Sequence, residues 1–392
     1  MSGLLPFFEE QRVEVSTWPD RPRALLSYAY ASKVTAEMFA EWGDVDVIID
    51  SGAFTAHNSG KPIDHAAYLG WLGEHAHLVE FAFALDVIGD PLATLDNYRH
   101  GMDVLAGAVR LVPTWHIGTS FDVLERYCAE ADYVAIGGAV PHYQKQGDLY
   151  RLSLRAHEIA RANGTRLHGL GMTGRRVMFG LPWASVDSSS WTIPARMPFL
   201  YLANEDGRMV SLNYGRPMPK HHRDLVVQYG GDPTGMDVEG YALASVAGKE
   251  VASERKLWGT TASARAYMYV EAAKRRATGH DDFHVYLASS PRDVDTILAA
   301  HAAGNPWHDV PTTTDRTPTM SDPADEPDGI TEPPADVVAR LAAEANQADL
   351  EAWAYDEGLD PDDPTTVDAW TDYNVEQAER RAEDAEWARG CR

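Results

Sequence analysis

The chain has 392 residues, of which 44% are hydrophobic and 24% charged, with a formal net charge of -25 and two cysteines, Cys128 and Cys391. That balance fits a globular protein of one large domain with appendages, or of two domains, and excludes a disordered polymer, a disulfide framework and a multi-cysteine zinc site. No apolar run nears the about 18 residues a membrane helix needs, so no membrane partner is expected.

The first residues, Met1-Ser-Gly-Leu-Leu-Pro-Phe-Phe-Glu-Glu, lack the basic region of a secretory signal, and a cytoplasmic protein is expected. The acidity is uneven. Residues 301–392 hold 6 Lys+Arg against 23 Asp+Glu, whereas residues 151–222 hold 10 basic and 4 acidic side chains. Screening confines each sector's field to about 10 Å at 0.1 M salt, so overall acidity does not exclude a nucleic-acid substrate.

In chain order, Arg23–Tyr30 reads as a first strand and Lys33–Trp42 as a helix. Val45-Asp46-Val47-Ile48-Ile49-Asp50 is an apolar, β-branched run that breaks off in a carboxylate followed by Ser51 and Gly52, the pattern of a strand buried on both faces. Ile63–Ala76 has helical spacing; Leu78–Asp86 is a third strand, again ending in a carboxylate. Leu92–Ala108 is helical and Val109–Gly118 is a strand carrying His116 near its end. The helix Phe121–Ala131 precedes Tyr133–Ala139, a strand that ends in Gly137, Gly138 and Ala139. Leu149–Asn163 is a helix with Gly164 at its C-cap, Arg166–Gly171 a sixth strand, Val177–Leu181 a short helix and Trp183–Asp187 a seventh strand. Arg208–Asn213 is a candidate eighth.

Alternating strands and helices argue for a parallel sheet with helices packed outside. About eight units with polar residues at their strand ends predict an α/β fold, a (β/α)8 TIM-type barrel with helical additions and an acidic C-terminal tail. No Gly-x-Gly-x-x-Gly follows the first strand, which argues against a dinucleotide fold.

Residues 1–303 are read as the barrel domain with its helical additions beginning near 223. Tyr241–Arg276 is Ala-rich and mostly helical with Gly248 and Gly259 as candidate breaks, Phe283–Ala288 is a strand that either completes the barrel or forms an add-on, and Val294–Ala303 is a helix. Residues 304–334 are a Pro/Thr/Asp-rich linker without periodicity, expected to be disordered. Residues 335–392 are an acidic, partly helical tail, read as an interaction or solubility arm for an unidentified protein partner.

Four strand ends supply the polar set: Asp50, Asp86, His116 and Asp187. Carboxylates at a barrel mouth can divide labour between nucleophile and general acid/base, as at a sugar carbon; three carboxylates and a His can also hold a divalent metal. Spacing alone leaves both open. Bland readings stand beside them: Asp50 as an Asx turn, Asp187 as a helix N-cap in a Ser-rich turn, His116 as a core histidine beside Trp115.

Asp50-Ser51-Gly52-Ala53-Phe54 resembles the Asp-Ser-Gly-Gly/Ala-Phe motif of tRNA-guanine transglycosylases, and Val186-Asp187-Ser188-Ser189-Ser190-Trp191 is similar to the segment carrying their nucleophile. Leu85-Asp86, His116-Ile117-Gly118 and Gly137-Gly138-Ala139 follow in the family's order, so the resemblance covers about residues 20–215. The family's Cys-x-Cys-x-x-Cys zinc site is missing; His221 and His222 read as a surface pair, and no metal and no other cofactor is expected. This zinc-less pattern is most similar to the phage and bacterial deazaguanine DNA transglycosylases.

The resemblance implies base exchange: Asp187 as nucleophile, Asp50 as general base, and Asp86, His116, Ser51, Phe54 and the Gly137–Ala139 backbone binding the base. Arg175, Arg176 and Arg196 are phosphate-contact candidates, with a solvated surface as the bland alternative. DNA and a 7-deazaguanine such as 7-cyano-7-deazaguanine are the implied substrates. Alternatives are tRNA as the polymer, or a non-catalytic barrel whose acidic tail binds a partner. The family dimerises partly through its zinc region, so a homodimer is left open here.

Overall fold

The computed structural model describes residues 18–138, 146–195, 199–213, 217–234, 236 and 249–307. The chain divides between Val310 and Pro311 into two units, and every described residue lies in the first. The acidic tail, nearly all of the linker, and the candidates Ala139 and Arg196 fall outside the described residues.

The first strand, β1 (Arg23–Ser27), leads into α1 (Tyr28–Ala31) and α2 (Ala36–Trp42). Next come β2 (Asp46–Asp50), α3 (Ala53–Ser59), α4 (His65–Glu74), β3 (Phe81–Phe83) and α5 (Pro91–Leu105). Two short strands, β4 (Leu111–Val112) and β5 (Thr114–His116), precede α6 (Phe121–Glu130), β6 (Tyr133–Gly137) and α7 (Gln146–Ala162). Then follow β7 (Arg166–Gly169), α8 (Arg175–Gly180), β8 (Ser185–Ser188), β9 (Phe199–Ala203) and β10 (Met209–Asn213). The described chain closes with α9 (Lys220–Gln228), α10 (Lys249–Thr278), β11 (His284–Ser289) and α11 (Val294–Ala302). Side-chain caps fix several helix starts: Thr35, Asp64, Asp90 and Ser120 each accept a first-turn N–H.

Nine strands form one parallel sheet in the order β4-β3-β2-β1-β11-β8-β7-β6-β5, a mixed α/β architecture with a nearly closed, barrel-shaped sheet flanked by helices. The two end strands, β4 and β5, are consecutive in the chain and separated by Pro113 alone. Proline has no N–H to give the ladder, yet the Pro113 carbonyl accepts from Ala135 N–H at 2.9 Å. The arrangement is compatible with a TIM-type barrel.

Period-two alternation sorts the strands' side chains into two sets. Leu25, Ile48, Phe81, Phe83, Val112, Tyr133, Ala135 and Tyr286 form an inner cluster, while their neighbours Ala24, Leu26, Val47, Ile49, Ala82 and Val134 join the larger core beneath the helices. The same parity turns polar residues inward. Asp50 lies two residues after Ile48; His168, Ser185 and Asp187 alternate with the outward Leu167 and Val186.

The structure corrects two expectations. Arg208–Asn213 does not supply a barrel strand: β10 pairs antiparallel with β9, because the short turn between them, with Gly207 at φ 71°, can return the chain only as a hairpin. Gly207 also presses on α10, where an added Cβ would stand 2.5 Å from Ala273 Cβ. The sheet is completed instead by β11, which pairs with both β1 and β8, so residues beyond 223 belong to the barrel rather than only being appended to it. Second, α10 runs unbroken through Gly259. The about 1 kcal/mol a helical glycine costs is outweighed by a buried face including Ala262, Tyr267, Met268 and Val270.

Closure at β11 is tied by a buried ionic cluster. Glu271 of α10, 1% exposed, takes Arg23 of β1 at 2.9 Å, Arg275 at 2.6 Å and the backbone N–H of Val285 at 2.6 Å. Among the described residues no helix is long and apolar enough to cross a membrane.

Glu271→Gln leaves Arg23 and Arg275 buried without their shared counter-charge and is expected to lower unfolding free energy by about 3 kcal/mol or more. Urea denaturation followed by circular dichroism checks this, and a loss below about 1 kcal/mol contradicts the closing role.

Candidate active site

Asp50, Asp86, His116 and Asp187 sit at or just beyond the C-terminal ends of β2, β3, β5 and β8, the end at which parallel barrels place their chemistry. Each is held differently.

Asp86 follows β3. Its Oδ1 accepts the Ser51 hydroxyl at 2.9 Å and its Oδ2 lies 3.0 Å from His116 Nε2. Ser51 is fully buried and also accepts the Ala53 N–H at 3.3 Å, so its work is to orient Asp86 and open α3. His116 is one-quarter exposed and paired, not a core residue; the core position next to it belongs to Trp115.

Asp187 lies within β8 and is buried. Its Oδ1 accepts the Gly171 N–H at 2.9 Å and faces His168 Nε2 at 3.2 Å. The N-cap reading does not hold for it: the hydroxyl that accepts the Ser190 N–H belongs to Ser188. His168 is the residue that motif reading passed over. It is fully buried, and its inward parity opposite Leu167 was the available signal.

Asp50 makes the Asx-type bond to the Gly52 N–H at 3.0 Å, so the bland reading is correct as far as it goes. Its surroundings add more. Burial and the nearby Asp86 raise its carboxyl to about 7, with Asp187 adding to the rise and the hydrogen bond from the Gly52 N–H opposing it. Burial, then Asp50 and Asp86, likewise push the Tyr68 hydroxyl well above its usual value. The three carboxylates therefore share one field, and one of them carries a proton near neutrality.

The remaining candidates spread around this centre. Phe54 is 64% exposed on α3, one of several apolar side chains left uncovered on the segments that follow β1, β2 and β3, with Tyr30, Ile88 and Leu92. Gly137 is crowded by the His116 ring, 2.9 Å from an added Cβ, and its carbonyl is taken by the Ile117 N–H. Gly138 has φ 73° at the end of β6. Arg175 and Arg176 are exposed in the first turn of α8, each guanidinium over an aromatic ring, Phe179 and Tyr150 respectively. His221 and His222 lie at the start of α9 with their rings 4.3 Å apart. Among the described residues no group of three His, Cys, Asp or Glu is arranged to hold a metal ion. A small cavity lined by Glu80, Arg110, Tyr133, Arg166 and His284 lies at the opposite, N-terminal end of the strands.

No protein-family model, curated protein or solved structure matches the chain.

Because Asp50 holds its proton to about pH 7 in the fold but only to about 4 when unfolded, the folded state binds more protons across that window and stability falls as pH rises through it. Asp50→Asn is expected to remove this slope and to raise stability at pH 8 by about 2 kcal/mol, measured by urea denaturation at pH 5 and pH 8. An unchanged slope contradicts the raised value.

Proposed function

We propose that the chain is a base-exchange transglycosylase that replaces guanine in DNA with a 7-deazaguanine through a covalent bond to Asp187. In this reading β4 and β5 are one stave interrupted at Pro113, which makes eight staves and a (β/α)8 barrel with helical additions. The observation that carries the proposal is the gathering of Asp50, Asp86 and Asp187 at one mouth in unlike environments. Asp187 is held by N–H donors, as suits an ionised nucleophile, while Asp50 is set near neutrality, as suits a group that both gives and takes a proton.

The chemistry balances as follows. An Asp187 oxygen attacks C1′ of the target nucleotide, the bond from C1′ to the purine nitrogen breaks, and protonated Asp50 supplies the proton that guanine takes with it. The Asp50 carboxylate then receives the proton from the ring nitrogen of the incoming deazaguanine. That nitrogen attacks C1′ and frees Asp187, and two inversions give net retention. Asp86, aligned by Ser51 and His116, accepts from the base's N–H groups, and Phe54 offers its exposed ring for stacking. The nucleotide must first leave the stack, at a cost of a few kcal/mol, which favours single-stranded DNA. Arg175 and Arg176 follow β7 on the same side of the sheet as Asp187 and are available for phosphate.

Incubation with radiolabelled guanine or deazaguanine and, separately, double-stranded DNA, single-stranded DNA and tRNA tests the reading. Label is expected in DNA with the wild type and at background with Asp187→Ala. Label in tRNA alone moves the polymer to RNA, and label in none of the three overturns the exchange reaction.

A further inference from the structure

One polar line runs up the barrel interior and ends on the Asp187 carboxylate. Tyr133, Ser185 and His168 are 4%, 1% and 0% exposed. The Tyr133 hydroxyl lies 2.5 Å from Ser185 Oγ, Ser185 Oγ lies 2.5 Å from His168 Nδ1, and His168 Nε2 lies 3.2 Å from Asp187 Oδ1. All four side chains share the inward parity of β6, β7 and β8, and His168↔Ser185 is a register pair of adjacent strands. The His168 ring is wedged among Phe83, Phe81 and Tyr286, with centroids 5.0, 6.2 and 6.3 Å away, so aromatic packing fixes its plane.

The ends of the line set its direction. Burial pushes the Tyr133 hydroxyl up to about 12, so it keeps its proton, and among the described residues Ser185 Oγ is the hydroxyl's hydrogen-bond partner. Tyr133 therefore donates to Ser185, Ser185 turns its own hydrogen to His168 Nδ1, and the imidazole is left carrying its hydrogen on Nε2, aimed at a carboxylate that can only accept. The Gly171 N–H, at 2.9 Å, ends on the same oxygen. Among the described residues, every hydrogen bond of the Asp187 side chain thus falls on Oδ1.

We infer that His168 is a positioning residue that, through the one-way donor chain Tyr133, Ser185, His168, pins Oδ1 of Asp187 and leaves Oδ2 as the oxygen that attacks. The inference rests on the reading of Asp187 as the nucleophile. Donors in series in a water-poor interior polarise one another, so each step of the chain strengthens the last bond. A nucleophile fixed at one oxygen keeps the other aligned along the attack path, and misplacement by about 1 Å is enough to lose about a hundredfold in rate. None of the three chain residues touches the substrate, so their removal acts on kcat rather than on KM.

The test uses the full chain and has two arms. In the exchange assay His168→Phe keeps a ring among its aromatic neighbours but removes both nitrogens; kcat is expected to fall by about tenfold or more while KM for the polynucleotide stays within about twofold. His168→Gln, which returns an N–H near the Nε2 position, is expected to recover most of the loss, and Ser185→Ala and Tyr133→Phe to fall between. Wild-type kcat in His168→Phe, or a loss that Gln does not repair, overturns the inference while the exchange reaction stands. The second arm needs no substrate: nitrogen NMR of ¹⁵N-histidine-labelled protein is expected to find a hydrogen of His168 on Nε2 and none on Nδ1, a state that Ser185→Ala unlocks. A hydrogen on Nδ1 overturns the chain. Should the tautomer be as expected while the wild type exchanges no base in any polynucleotide, the proposed function fails and the donor chain does not.

Discussion

Repulsion between carboxylates governs the site. Three aspartates converge where β2, β3 and β8 end, in surroundings that give water limited access, and like charges so placed cannot all remain ionised without help. The local structure answers this unequally. Asp86 has a hydroxyl on one oxygen and a histidine on the other; Asp187 has a backbone N–H and a buried histidine. Asp50 is left with the Gly52 N–H against its own burial, and it is the one whose carboxyl rises to about 7. The division of labour proposed above, with Asp187 as nucleophile and Asp50 as proton carrier, rests on who receives donors. It does not require the three side chains to differ chemically.

That convergence depends on β11 joining the two halves of the sheet, which come from parts of the chain far apart in sequence. Strands β1 and β8 are brought together through β11, more than 90 residues after β8, and Glu271 secures β11 by gripping both Arg23 of β1 and the Val285 N–H. The hairpin of β9 and β10 and the long helix α10 fill the interval. The interval between β8 and its partner β11 is long, which is why that strand is hard to place by counting units.

Most of the barrel was legible because strands buried on both faces announce themselves as apolar runs ending in polar residues. The run before Asp50 and the Gly-rich end of Tyr133–Gly137 are found this way, each shortened by the structure at its boundary. Three features were not. Pro113 separates β4 from β5, the two end strands of the sheet, α3 forms just after Asp50 with Gly52 at φ 82°, and Arg208–Asn213 has a strand's composition but a hairpin's partner. Pairing partners are a property of the whole chain, and composition does not carry them. At the site, Asp50, Asp86, His116 and Asp187 were legible as polar residues at strand ends. His168, Ser185 and Tyr133 were not, because they lie one or two layers deeper, where a buried polar residue has meaning only once its cross-strand neighbour is known. Ser51 was read as a base contact, and the structure shows it fully buried and bonded to Asp86.

In the proposed reaction Asp187 becomes covalently attached to a sugar. The most direct measurement is mass spectrometry of the full chain incubated with a single-stranded oligodeoxynucleotide and quenched in acid, with peptide mapping of any adduct. An oligonucleotide attached to the peptide containing Asp187 is expected, with an equal amount of guanine released and neither product from Asp187→Ala. Guanine release without an adduct, or an adduct that survives Asp187→Ala, would contradict the proposed reaction.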